Sequence, residues 1–225
     1  GACRPVRRAD HDPLDEPRTH DRCPRLALQV GQQRFRVRVA GERALALRHG
    51  GRETLRGAAR REGGVDEVTR DCFVEAMRGE LEAVGFRTDP GRDGLEARGR
   101  LWGGNLTVLC SLVGTPWLPR VKGGVLFLED VNEHPYRIER QLTQLLHAGI
   151  LGEQKAVLLG SFNRYQLGPH DKGFKMATVV AWLRQQTKVP VFTGLPYGHV
   201  PTKVLLPVGG KVDLLVEGRI VEHPQ

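Results

Sequence analysis

Serine and lysine are missing from the first third of this 225-residue chain, and no part of the chain holds a long apolar run. The first serine is Ser111 and the first lysine is Lys122. A folded domain without either residue type over such a stretch is unusual. The lack of a long apolar run excludes a membrane-spanning helix, and no secretory signal is recognisable at the N-terminus. These absences predict either a cytoplasmic protein or a sequence whose true start is missing.

Cysteine is also scarce, and its spacing carries no pattern. The four residues are Cys3, Cys23, Cys72 and Cys110. No C-x-x-C pair and no matching histidine spacing accompanies them, so neither a zinc site nor a disulfide framework is predicted. Reduced thiols are the expectation for a protein of the cytosol.

Aromatic residues are rare where the positive charge is concentrated. The chain carries a net charge of +8, and residues 1–70 contribute +6 through 16 arginines against 10 acidic residues. Phe35 is the only aromatic residue in that segment. Because grooves for nucleic acid usually pair basic side chains with aromatic stacking platforms, the charge alone is weak evidence for nucleic-acid binding.

Helix and strand patterns alternate only after residue 70, which predicts an α/β domain over residues 71–225. Residues 1–70 form an atypical Arg-rich segment for which we expect irregular structure. One helix is predicted through Phe73, Ala76, Met77, Leu81 and Val84, ended by Gly85. The other predicted elements are helices over 135–149 and 176–183, strands over 125–128, 156–159 and 189–193, and a hairpin of 204–208 with 211–216 around Gly209-Gly210.

Three short segments hold residue types that carry chemistry. The glycines of Trp102-Gly103-Gly104-Asn105-Leu106 indicate either an anion-binding helix mouth or a tight strand-to-helix turn, and the turn is favoured. Glu129-Asp130 at a strand end could orient a histidine or cap the next helix, and Glu133-His134 follows. His199 lies in a glycine- and proline-bounded loop, where catalytic groups tend to occur.

The same segments resemble the C-terminal domain of LD-carboxypeptidases (muramoyltetrapeptide carboxypeptidases), a family of bacterial serine peptidases. The matching motifs are Leu101-Trp102-Gly103-Gly104-Asn105-Leu106, Gly114-Thr115-Pro116-Trp117, Leu128-Glu129-Asp130-Val131-Asn132-Glu133-His134-Pro135, Arg137-Ile138-Glu139-Arg140 and Gln154-Lys155-Ala156. Residues 194–199 are similar to the family's histidine loop. The resemblance covers about residues 72–218 and implies an α/β fold. Its C-terminal domain is of the swivelling β/β/α type, and the N-terminal α/β part is truncated or degraded.

The resemblance also implies a function. Family members are cytoplasmic peptidases that remove the terminal D-alanine from murein tetrapeptides in peptidoglycan recycling, without a metal or organic cofactor. Their Ser-Glu-His triad matches Glu129 and His199 by motif, so these are the expected catalytic residues. The expected partner is a muropeptide substrate, and a homodimer is possible since the family is often dimeric. Neither a membrane nor a nucleic-acid partner is expected.

The family's serine nucleophile has no counterpart in this sequence. It lies in a Gly-x-Ser-Asp turn upstream of the helix matched by residues 73–86, where no serine occurs. Ser111 falls inside a matched helix, and neither Cys23 nor Cys72 has the strand-turn-helix context of a nucleophile. A serine peptidase without its nucleophile retains only a residual rate.

One hypothesis for this gap is that residues 1–70 are an out-of-frame translation of a GC-rich gene. With plausible codons, a one-base shift turns Gln32-Gln33-Arg34-Phe35 into Ser-Ser-Asp-Phe. Three alternatives remain: a microcin-immunity type peptidase of the same family, a non-catalytic muropeptide-binding module, and a nucleic-acid-binding module that uses the basic first third.

Overall fold

The computed structural model describes residues 33–39, 65–88 and 94–217. Its strands are β1 (Gln33–Val39), β2 (Ala83–Thr88), β3 (Glu96–Asn105), β4 (Val125–Val131), β5 (Ala156–Asn163), β6 (Val191–Phe192) and β7 (Lys211–Glu217). Its helices are α1 (Glu67–Arg78), α2 (Leu106–Ser111), α3 (Pro135–His147) and α4 (Met176–Gln186), with a 3₁₀ turn at Pro169–Asp171. No helix in these ranges is long and apolar enough to cross a membrane.

The seven described strands form one mixed sheet in the order β2-β1-β7-β3-β4-β5-β6. β3 joins its two halves, because residues 96–100 pair antiparallel with β7 and residues 101–105 pair parallel with β4. β1 pairs antiparallel with both β2 and β7, while β4, β5 and β6 continue the parallel half. The α/β class is therefore confirmed. The carboxyl ends of β3, β4 and β5 meet at one edge, which is where α/β proteins usually place their sites.

Both faces of the parallel half are covered, so β4 is buried along nearly its whole length. Leu126 and Leu128 lie in the apolar cluster that includes α2, α3 and α4. Val125 and Phe127 lie in the opposite cluster with α1 and the segment 195–206. This two-sided burial explains the continuous apolar run in the sequence, because only a strand with one wet face alternates with polar residues.

Helix α1 ends earlier than the sequence pattern predicted. It begins after the N-cap Asp66, whose Oδ1 accepts from the Thr69 N–H at 3.0 Å, and it ends at Arg78. Gly79 takes a left-handed conformation at φ 75° and closes the helix, so the predicted continuation to Gly85 is wrong. Val84 instead belongs to β2, where residues alternate between buried and less buried positions.

The predicted C-terminal hairpin is also wrong. Residues 211–217 do form a strand, but β7 pairs with β1 and β3 rather than with residues 204–208. A turn does occur, since the Gly210 N–H donates to the Pro207 carbonyl at 2.9 Å. Val204 to Leu206 stay buried without strand pairing because they cover the sheet face beside α1.

The prediction of irregular structure for residues 1–70 is wrong for the parts that are described. Residues 33–39 form β1 inside the sheet, and α1 starts at Glu67, so the boundary at residue 71 cuts a helix. The rest of that segment lies outside the described residues. The helices that begin at Pro135 and Met176 are confirmed, as are the strands that begin at Val125 and Ala156. The strand predicted over 189–193 is confirmed as the shorter β6.

We predict that Gly103→Ala destabilises the fold far more than Gly104→Ala. A Cβ at Gly103 would collide with the main-chain carbonyl of Phe127 in β4, whereas a Cβ at Gly104 meets nothing within 4 Å. Both glycines have positive φ, at 130° and 145°, so the comparison isolates the collision. The Gly103 variant should lose about 2 kcal/mol more than the control in urea unfolding. Equal losses would contradict the prediction.

Candidate active site

Glu129 and Asp130 are adjacent on β4, yet their side chains serve opposite faces of the sheet. Asp130 Oδ2 accepts hydrogen bonds from the Thr107 N–H at 2.9 Å and the Thr107 hydroxyl at 2.8 Å, at the start of α2. Glu129 Oε2 lies 3.6 Å from His199 Nδ1, on the face covered by the 195–206 segment. Successive side chains of a strand point in opposite directions, and this alternation separates the two carboxylates.

The structure thus brings together the two residues that the sequence predicted, Glu129 and His199. The carboxylate is almost fully buried, with 9% of its side chain exposed, whereas the imidazole is 49% exposed. Their 3.6 Å separation is an ion-pair distance slightly longer than a hydrogen bond. Catalytic hydrogen bonds are often long without substrate and shorten in the substrate complex. In this pair the carboxylate lies inside the protein and the imidazole faces solvent.

Asn105 holds the second oxygen of Glu129. Its Nδ2 donates to Glu129 Oε1 at 3.3 Å and to Asp130 Oδ1 at 3.0 Å, while its Oδ1 accepts from the Val108 N–H at 3.0 Å. Asn105 ends β3 and caps α2, so one side chain links two strands and a helix. Asn105 lies in the Gly-Gly-Asn-Leu motif, but its residue type alone predicts no role in the site.

The start of α2 is a tight strand-to-helix turn, as the sequence analysis favoured. Two of its N–H groups, those of Thr107 and Val108, are already bound by Asp130 and Asn105. The anion that this helix start binds is therefore the protein's own Asp130.

Burial raises the pKa of Glu129 above its ordinary value of 4.5, and the neighbouring Asp130 adds to the increase. The hydrogen bond from Asn105 and the charge of His199 lower the pKa, but they only partly offset the burial. Within the described residues, Oε2 is buried and has no hydrogen-bond partner. The side chain is thus poised to accept a proton or a hydrogen bond on the atom that faces His199.

The loop that carries His199 passes close over Glu129, and glycines make this approach feasible. Gly198 has φ 107°, and a Cβ there would lie 2.7 Å from Glu129 Oε2. A Cβ on Gly160 in β5 would lie 2.8 Å from the carbonyl of Tyr197. The Tyr197 ring packs edge-on against Phe127 at 5.1 Å between ring centroids, which holds the loop on the sheet.

Glu133 and His134 have structural roles. His134 caps α3 by accepting the Tyr136 N–H on Nδ1 at 3.4 Å, and its Nε2 lies 3.2 Å from Asp171 Oδ1. The Gly168 N–H lowers the pKa of Asp171, which favours its charged form beside His134. Glu133 pairs with Arg137 at 3.5 Å. Among the residues that the structure describes, no group of three or more His, Cys, Asp or Glu side chains could hold a metal ion.

Three side chains that could in principle act as nucleophiles have other roles or stay protonated. Ser111 donates its hydroxyl to the Val108 carbonyl within α2 at 2.7 Å. Cys72 is buried and its Sγ accepts from the Leu205 N–H at 3.3 Å. Burial raises the pKa of the Cys110 thiol to about 11, so it stays protonated at neutral pH. Cys23 lies outside the described residues.

The part of the chain that carries these residues is similar to known proteins. The family model for the LD-carboxypeptidase C-terminal domain matches residues 98–214. A Synechocystis sp. protein assigned as a carboxypeptidase is 34% identical over 146 residues, covering 64% of this chain and 48% of that protein. The murein tetrapeptide carboxypeptidase of Pseudomonas aeruginosa is 36% identical over 102 residues, covering 45% of this chain and 33% of that enzyme. The chain therefore spans at most about half the length of these curated relatives.

A solved structure extends the match to the fold. The muramoyltetrapeptide carboxypeptidase from Oxalobacter formigenes shares 40% sequence identity with this chain, at a TM-score of 0.59. The superposition covers 70% of this chain and 57% of that enzyme. Similarity of sequence and of fold thus coincide over the domain that carries Glu129 and His199.

We predict that Glu129→Gln stabilises the fold at neutral pH and has little effect near pH 4. A carboxyl whose pKa is raised in the folded state binds more protons folded than unfolded, so stability falls as pH rises from 4.5 through the raised pKa. Removing the charge abolishes that loss. Thermal melts from pH 4 to pH 8 measure the difference, with Glu133→Gln as the control for removing a nearby, less buried carboxylate that pairs with Arg137. If the difference in melting temperature between Glu129→Gln and the unchanged chain does not grow as the pH rises, the raised pKa of Glu129 is not the cause.

We predict that iodoacetamide alkylates Cys110 very slowly in the folded protein. With a pKa of about 11, about one thousandth of the thiol is ionised at pH 8. Mass spectrometry of tryptic peptides should show rapid labelling in urea and little labelling without it. Rapid labelling of the folded chain at Cys110 would mean that the thiol is accessible and ionised.

Proposed function

This chain belongs to the LD-carboxypeptidase family through its C-terminal domain, and on that premise we propose that it supplies the acid–base half of a serine-type LD-carboxypeptidase. The observation that supports the proposal most directly is the buried Glu129 carboxylate facing His199 Nδ1 at 3.6 Å. A buried carboxylate that orients a half-exposed histidine is two thirds of a Ser-Glu-His triad.

In this proposal each nitrogen of His199 has its own role. Nδ1 faces Glu129, so it carries the proton of the neutral ring, and Nε2 is the base. In the proposed reaction Nε2 takes the proton of the serine hydroxyl as that oxygen attacks the scissile carbonyl. The imidazolium then donates this proton to the leaving amine of D-alanine. Glu129 stabilises the imidazolium only when ionised, so its raised pKa makes the reaction fail as the pH falls.

The nucleophile and the oxyanion-binding groups are proposed to come from an N-terminal α/β domain of the kind that the relatives carry. The relatives extend well beyond the part matched here, since the Oxalobacter formigenes enzyme is covered to 57%. We propose a murein tetrapeptide as substrate, by likeness to the Pseudomonas aeruginosa enzyme. A cytoplasmic place in peptidoglycan recycling follows from the same proposal.

The test joins this domain to the N-terminal domain of the Oxalobacter formigenes enzyme and measures D-alanine release from a murein tetrapeptide. We expect turnover by the chimera. His199→Ala and Glu129→Gln should each lower kcat by about 10³- to 10⁴-fold, because triad members act as a unit. The chain alone should release no more D-alanine than its own His199→Ala variant.

His134→Ala is the matched control, because His134 also pairs with a carboxylate but lies outside the proposed triad. It should leave most of the turnover intact. Turnover that survives His199→Ala would refute the assigned role, and release by the chain alone would reveal a nucleophile within it. Tetrapeptide binding by an inactive chimera would instead support a non-catalytic module.

A further inference from the structure

The segment that carries His199 makes few backbone hydrogen bonds to the sheet. Two backbone hydrogen bonds tie its first part to β5, from the Leu195 N–H to the Leu159 carbonyl at 3.3 Å and from the Ser161 N–H to the Tyr197 carbonyl at 2.9 Å. The next backbone bond is local and runs from the Val200 N–H to the Gly198 carbonyl at 3.0 Å. Backbone pairing with β5 thus ends two residues before His199.

A side chain continues the attachment at that point. Asn163, the last residue of β5, donates its Nδ2 to the main-chain carbonyl of His199 at 2.8 Å. The main-chain carbonyl of Asn163 accepts the Asn132 N–H at 2.8 Å, and Asn163 in β5 lies opposite Val131 in β4. Asn132 adopts φ 63°, a conformation in which asparagine is enriched. Asn163 is therefore fixed to β4, the strand that carries Glu129.

From these contacts we propose that Asn163 is a positioning residue, which holds the His199 imidazole against Glu129 by fixing the His199 carbonyl. A carbonyl bound in one direction fixes its peptide plane, and the plane limits where the neighbouring Cα–Cβ bond points. The donor is necessary, because a carboxylate or an apolar side chain of the same shape cannot bind a carbonyl oxygen. The inference rests on the proposed function, in which His199 acts as the base.

The side chain keeps this contact at a cost. Its other polar atom, Oδ1, is buried without a hydrogen-bond partner in the described ranges. A buried acceptor without a partner is destabilising, so the hydrogen bond to the His199 carbonyl is made while one polar atom of the same side chain is left unsatisfied.

The test is a double-mutant cycle of Asn163→Ala and His199→Ala in the chain itself. Its readout is the pKa of Glu129, which ¹³C NMR of the side-chain carboxyl measures. The charge of His199 lowers that pKa, so displacing the ring must raise it further. Asn163→Ala should raise the Glu129 pKa by about half a unit in the presence of His199. In the His199→Ala background the same substitution should have no effect.

Every outcome decides the inference. A rise that needs His199 supports it, while no rise, or the same rise in both backgrounds, overturns it. Should Asn163→Ala fail to fold by circular dichroism, Asn163→Asp replaces it, and the cycle cancels the direct effect of the new charge. The cycle does not require turnover, so an inactive chimera would refute the proposed function and leave this result standing.

Discussion

The burial of one carboxylate organises this domain. Glu129 lies at the end of a strand covered on both faces, and burying an ionised group is costly unless partners compensate for the lost water. Asn105 binds one oxygen, His199 faces the other, and Gly198 lets the loop come close. These contacts offset part of the cost of burial, and the part that remains raises the pKa of Glu129.

Because side chains alternate along β4, the neighbouring residues Glu129 and Asp130 have different partners. Glu129 faces the segment that carries His199, and Asp130 faces α2, where it binds the Thr107 N–H and hydroxyl. Asn105 bridges them from β3, so the orientation of Glu129 and the start of α2 depend on the same side chain. A disturbance of the helix start would reach the candidate active site through one residue.

Two errors in the predicted fold show where local patterns mislead. Leu81 and Val84 match the helical spacing of the residues before them, but the left-handed Gly79 ends the helix. Val84 lies in β2, so its match to the helical spacing is a coincidence. Residues 204–208 and β7 have the composition of a hairpin, yet β7 pairs with β1 and β3 instead. Period and propensity describe short windows, whereas strand pairing is decided by residues far apart in sequence.

The sequence by itself determined the α/β class, the buried strands that begin at Val125 and Ala156, the helices that begin at Pro135 and Met176, and the identity of Glu129 and His199 as candidates. The elements follow from local periods within short windows, and the two candidates follow from the resemblance of their motifs to the LD-carboxypeptidase family. Only the tertiary structure decided that Glu129 and His199 meet, that Asn105 holds the carboxylate, and that Asn163 ties the histidine loop to β5. These contacts join residues 24 to 70 positions apart, and their geometry is set by strand order, register and the direction of each side chain, which no local pattern contains.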